Sequence, residues 1–157
     1  MDASFTISAP LSDDGAVGTI EPRKNLVRLV EAFELLAGRH PTPRLVLVGA
    51  PGWHYRPILS RIERSPARER IVIAAYQTPD ALAVLTRASA ACAYVSVYEG
   101  FGMPVLDAMA LGAAVVTSNR TAMPATAGGA AVLVDPDDIG DIARGMGRAL
   151  EDRAALI

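Results

Sequence analysis

ACAYVSVYEGFGMPVLDAMALG, residues 91–112, reads as three pieces in a fixed order. Ala91–Val95 is a short apolar run, too short for a helix and suited to a strand covered on both faces. Glu99-Gly-Phe-Gly102 is a turn, in which glycines at 100 and 102 let the backbone come close to a ligand. Pro104 then suits a helix start, and Gly112 suits the position just past its end. The first amides of that helix, at Gly102 and Met103, have no intrahelical partner. Together with the helix dipole they form a site for an anion such as phosphate. Glu99 and Asp107 bracket this site. Carboxylates beside a phosphate are costly unless they have another task, such as accepting hydrogen bonds from sugar or ribose hydroxyls.

The same grammar extends in both directions. Leu45–Val48, Ile71–Ala74, Ala114–Thr117 and Ala131–Val134 are further buried strands, and Ala16–Ile20 is a short one. Helices are predicted from Asn25 to about Arg39, over Pro57–Arg64, over Pro79–Ala88 behind a Thr78 cap, and from Asp137 or Asp138 onward. Asn25 is the expected cap of the first. Residues 1–14 show no period and read as an irregular leader, with one domain over residues 15–157. Strand alternating with helix means an α/β fold, a doubly wound parallel sheet of Rossmann-like type. Ligands of such sheets bind beyond the carboxyl ends of the strands. That rule gathers Glu21–Asn25, Gly49–Trp53 and Ser96–Pro104 around one crevice.

Bulk properties exclude several classes. The 157 residues are 51% hydrophobic and 20% charged, with a net charge of -2, a globular composition without the basic balance of a nucleic-acid or anionic-membrane binder. One cysteine, Cys92, rules out a disulfide framework and suits a small buried hydrophobe. No apolar stretch approaches a membrane span and no secretory signal stands at the N-terminus, so a cytoplasmic location is the default. There is no G-x-G-x-x-G, no phosphate-binding P-loop, no zinc-type cluster and no G-x-S-x-G. Of the 15 basic residues only Lys24 is a lysine, either by chance in an arginine-biased chain or because a compact ammonium serves there and a guanidinium fork does not. Trp53 and His54 follow a glycine turn at a strand end and can line the crevice or be simply structural. His40 is a helix-end residue.

Residues 16–152 resemble the C-terminal domain of the retaining glycosyltransferases of group 1, family 4, which have the GT-B fold. The likeness rests on Glu99-GFGMPVL-Asp107, which keeps that family's two-carboxylate spacing with Asp in the second place, on Ser96, on Lys24-Asn25 within GTIEPRKN, and on VLVDPDD (Val132–Asp138). It implies one half of a GT-B fold that binds a nucleoside-diphosphate sugar, GDP-mannose being suggested by GTIEPRKN. By this resemblance Glu99 is the catalytic position. Lys24 and Arg23 reach the diphosphate, and Gly100, Phe101, Gly102, Met103 and Pro104 form the loop that holds the distal phosphate. Asp107 contacts the ribose, and Tyr76, in the segment Ala74–Gln77, lies by the base. No metal and no cofactor beyond the donor is implied. The family's N-terminal acceptor domain is not represented, which implies a missing domain or partner chain and no activity without it. Thr19 stands where many members carry a phosphate-binding Arg, Ala75 where a Gly is usual, Val95 where a Pro is usual, and Ala125 where a Glu follows the proline. These departures leave two alternatives: a non-catalytic binding or partner module, and an epimerase-like domain acting on nucleotide sugars.

Overall fold

A computed structural model of the chain describes residues 4–8 and 19–152. Six parallel strands form the main sheet: β1 (Ser4–Ser8), β3 (Arg44–Val48), β5 (Ile71–Ala74), β6 (Ala91–Tyr94), β7 (Val115–Ser118) and β8 (Val132–Val134), in the order β5-β3-β1-β6-β7-β8. β2 (Thr19–Ile20) and β4 (Ala50–Pro51) pair only with each other. With that small pair set aside, the order is third, second, first, fourth, fifth, sixth, the doubly wound pattern whose switch point lies between β1 and β6. The fold is α/β, doubly wound and Rossmann-like.

The irregular leader expected over residues 1–14 is corrected at its centre. Ser4–Ser8 pair with β3 on one side, Phe5 opposite Leu45, and with β6 on the other, Phe5 opposite Ala91. Ser-Phe-Thr-Ile-Ser alternates polar and apolar residues over only five positions, so it lacks the continuous apolar run that marks its neighbours as buried strands. Ladder pairing on both sides places it instead. The remaining leader positions, and residues 16–18 of the expected Ala16–Ile20 strand, lie outside the described residues.

Helices cover both faces, and strand alternation explains which residues meet them. Ala91, Ala93 and Val95 point into the cluster built with α1 (Leu26–Ala37), α2 (Tyr55–Glu63) and α6 (Ile139–Glu151). Cys92 and Tyr94 point the other way, among Val105, Ala108, Val115, Met123 and Ala127 of α4 (Met103–Ala110), β7 and α5 (Met123–Ala127). Cys92 is fully buried, as its setting predicts. The helix α3 (Pro79–Ala88) begins as expected, with the Thr78 hydroxyl accepting from the Ala81 amide and Pro79 in first position. Asp138 caps α6 in the same way, and Gly112 follows α4 with φ of +73°. The helix α5, five residues with a proline in its first turn, is too short to show a period and was not expected.

Asn25 corrects a second expectation. It stands before α1 but its side chain makes no capping bond there, because the residue adopts the left-handed conformation (φ 59°) that turns the side chain away from the helix. Asparagine tolerates this conformation better than most residues.

Two glycines of α6 separate packing from helix propensity. A Cβ on Gly145 would run into Val134 Cγ1 and lie 3.3 Å from Val116 Cγ1, whereas one on Gly147 would meet only Leu36 Cδ1 at 3.7 Å. Gly145→Ala is expected to destabilise by about 1–3 kcal/mol through overpacking. Gly147→Ala is expected to stabilise by up to about 1 kcal/mol, the glycine-to-alanine difference in a helix. Urea unfolding of the two variants checks the opposite signs.

Candidate active site at the carboxyl edge of the sheet

Two loops meet where β2 and β6 end. Pro22–Lys24 form a single 3-10 turn, expected from sequence only as a connecting loop. Its backbone is tied to the second loop by the Val97 amide, which donates to the Arg23 carbonyl at 3.1 Å. Asn25 then fastens the turn from below. It is 4% exposed. Its side-chain NH2 donates to the Val95 carbonyl (3.0 Å) and the Pro136 carbonyl (2.7 Å), and its Oδ1 accepts from Arg28 (3.1 Å).

This arrangement brings three of the sequence-derived residues together. Lys24 Nζ lies 2.6 Å from Glu99 Oε1, and Arg23 lies 2.7 Å from Glu99 Oε2. The Ser96 hydroxyl donates to Glu99 Oε1 at 3.0 Å, and Arg23 also pairs with Glu21 at 2.6 Å. The Lys24 and Glu99 side chains are only 10% and 13% exposed, so their pairing is far better shielded than an ordinary surface bridge. Burial pushes the Glu99 carboxyl up. The hydrogen bond and charge of Lys24, then the Ser96 hydroxyl and the Arg23 charge, outweigh it and hold the group below the usual glutamate value. Glu99 is therefore an anion and an acceptor at neutral pH, not a proton donor.

The glycine turn is shaped from the opposite face. Gly102 precedes α4 with φ of +88°, and a Cβ there would collide with the Met123 thioether. The positive φ is what favours glycine, since the flexible end of Met123 could shift to admit a Cβ. Gly100 has nothing within 4 Å of where a Cβ would stand, so no such constraint acts there. The Glu99 amide donates to the Thr121 hydroxyl at 3.3 Å, and the Thr126 hydroxyl donates to the Phe101 carbonyl. Thr121 has φ of +53°, uncommon for a β-branched residue. Thr121, Met123 and Thr126 were not singled out from sequence. Their one legible signal is positional: they follow β7, the strand beside β6.

Other expected site residues stand apart. Phe101 and Met103 are exposed on the rim, while Pro104 is buried in the first turn of α4. Tyr76 is exposed beyond β5. Asp107 is exposed on α4 and lines a groove with Pro79 and Leu82 of α3, not the space around Glu99. That space, between Lys24, Ser96, Glu99, Gly102 and Met123, measures ≈ 10 Å³, about enough for one water. A larger ligand has to approach from the open side. Among the described residues no group of three or more His, Cys, Asp or Glu side chains is placed to hold a metal ion, and no helix is long and apolar enough to cross a membrane.

A twisted parallel sheet with cations, a carboxylate and a helix N-terminus at its switch-point edge is the setting of nucleotide-sugar chemistry. The chain belongs to the family of glycosyl transferases group 1, whose model matches residues 15–156. Among curated proteins it is 36% identical over 140 residues to the O-antigen chain mannosyltransferase B of Escherichia coli, covering 87% of this chain and 36% of that protein. It is 32% identical over 142 residues to a serotype-specific mannosyltransferase, WbdA, of the same species, covering 88% of this chain and 17% of the relative. The chain thus spans about a third or less of the relatives it matches. Sucrose-phosphate synthase of Thermosynechococcus elongatus superposes with a TM-score of 0.81 at 26% identity, over 98% of this chain and 37% of that one. A UDP-forming trehalose-phosphate synthase of Burkholderia vietnamiensis gives 0.79 at 18% identity, over 99% and 40%, a likeness of fold.

The lowered Glu99 acidity gives a pH dependence of definite sign. A carboxyl held below its unfolded value contributes stability that is fully present above the ordinary carboxylate range, near pH 4.3, and is lost as pH falls through the folded value. Thermal unfolding followed from pH 7 to pH 3 is expected to show a smaller acid-induced loss in Glu99→Gln than in the parent chain. Equal losses in both would mean that the carboxylate does not feel its two cations.

Proposed function

We propose that this chain is the donor-binding domain of a retaining mannosyltransferase that takes a nucleoside-diphosphate sugar, GDP-mannose by preference. The observation that carries this reading is the convergence of Lys24 and Arg23 on Glu99 beside the N-terminus of α4. When the bond between the anomeric carbon and the diphosphate oxygen breaks, negative charge grows on the departing diphosphate. Lys24, Arg23 and the amides at Gly102 and Met103 are positioned to stabilise it, with no reorganisation needed at the moment of reaction. Glu99, ionised, accepts a hydrogen bond from a hydroxyl of the transferred sugar and orients it. Tyr76 lies by the base and Asp107 by the ribose. The mannosyl specificity is supported by the two mannosyltransferases to which the chain is most usefully compared. Because the chain spans only part of their length, a further domain or partner chain completes the acceptor side, and transfer requires it.

A second reading, a module that keeps the fold without turning over a donor, is favoured by one observation. Asp107, a methylene shorter than the family's glutamate, lines the α3–α4 groove rather than the Glu99 cluster.

Calorimetric titration of the chain with GDP, UDP and ADP separates the two. Saturable binding of GDP is expected, and Lys24→Ala is expected to weaken it by about ten- to a hundredfold, the loss of one charge-assisted hydrogen bond. A folded chain that binds none of the three overturns the donor reading in favour of the second.

A further inference from the structure

A groove on the other side of the Pro22–Lys24 turn belongs to none of the groups described so far. It lies between the N-terminal ends of α1 and α2, measures ≈ 600 Å³ and is lined by Pro22, Val27, Arg28, Glu31, Trp53 and His54, among others. That volume falls within the roughly 300–1,000 Å³ usual for small-molecule sites. Pro22 and Asn25 border both this groove and the turn that carries Arg23 and Lys24, so the groove continues the crevice rather than opening on a remote face.

Its chemistry is specific. Trp53 is the single tryptophan of the chain, and it is 72% exposed. An indole this exposed is unusual, because such a ring is ordinarily buried for its large apolar area. Its only ring partner among the described residues is His54, with centroids 4.0 Å apart and planes at 90°. A perpendicular contact covers at most one face of the indole and leaves the other open. The groove is also lined by a hydrogen-bond donor, the Arg28 guanidinium, by an acceptor, the Glu31 carboxylate, and by the His54 imidazole. Arg28 is held by Asn25 and Asp137, and Glu31 by Arg61, so both side chains have fixed orientations.

An open aromatic face flanked by fixed planar polar groups matches one class of ligand, the pyranose ring. Its axial C–H bonds lie flat on an indole by dispersion and by attraction to the negative ring face. Its equatorial hydroxyls, each able to donate and accept, reach outward to a donor such as Arg28 and an acceptor such as Glu31. A protein partner would instead be met by a broader apolar patch.

We infer that the groove at Trp53 is a saccharide subsite, one that holds sugar units of a glycan acceptor alongside the donor site. The proposal rests on the transferase reading for the role of the bound glycan, but not for binding itself. Trp53 supplies the stacking platform, Arg28 and Glu31 the hydroxyl contacts.

The single tryptophan makes the test direct. The chain is titrated with an α-linked mannotetraose while Trp53 emission is followed, and separately with GDP by calorimetry. The expected result is a saturable blue shift with the mannotetraose in the millimolar range usual for weak complexes. Calorimetry with Trp53→Ala is expected to show affinity for the tetraose lowered about tenfold or more, Trp53→Phe is expected to retain most of it, and GDP affinity is expected to be unchanged in both. Emission that does not respond to the tetraose while GDP still binds overturns the subsite and leaves the donor reading standing. A response to the tetraose in a chain that binds no nucleotide supports the subsite and removes the donor reading. Emission that shifts with protein concentration alone, and not with sugar, overturns the proposal by showing that a second copy of the chain covers the groove.

Discussion

The side-chain amide of Asn25 holds three loops at once. Its two N–H bonds close on the ends of β6 and of the loop after β8, and its own backbone turns the chain from the Lys24 turn into α1. Because the residue is buried, these bonds form in a low-dielectric setting where an unpaired carbonyl would be costly. Everything at the carboxyl edge is referenced to them. Lys24 precedes the amide by one residue, Glu99 follows Val95 by four, and the two meet at 2.6 Å. A side chain that fails as a helix cap succeeds as a clasp, and the left-handed backbone that costs it the first task permits the second.

Around that clasp the charges gather on one carboxylate. Glu99 is held by two cations, a hydroxyl and, through its amide, the Thr121 side chain. Arg23 divides itself between Glu99 and Glu21. On the proposed donor reading, a diphosphate competes with Glu99 for both cations, and Glu99 keeps the Ser96 hydroxyl.

Much of this could be read from the residues in order. The strands β3, β5, β6, β7 and β8 are compact apolar runs, and parallel strands covered on both faces are the kind that such runs identify. The Glu99–Pro104 turn and Lys24 carried the family likeness. Three things were not legible. β1 hides in an alternating polar-apolar pentapeptide whose place depends on partners about 40 and 86 positions away in the chain. The ion pairs of Glu99 join residues separated by 75 and 76 positions, and no local pattern encodes that meeting. The threonines that brace the glycine turn come from α5 and the residues before it, a segment too short for periodicity, with Thr121 in a conformation that its side chain does not advertise.

The place of β1 has a mechanical meaning. β3 and β5 make one half of the sheet and β6, β7 and β8 the other, and within the sheet the two halves touch only through β1. β1 is a zip fastener between two panels. Above it, the Lys24 and Arg23 bridges to Glu99, the Val97–Arg23 backbone bond and the Asn25 amide run from the β2–α1 turn to the β6 loop, like buttons sewn beside the same opening. On the proposed donor reading, a ligand that draws Lys24 and Arg23 away from Glu99 undoes two of those buttons while adding its own stitches across the gap. Occupancy of the site and cohesion between the panels would then be one equilibrium seen from two sides.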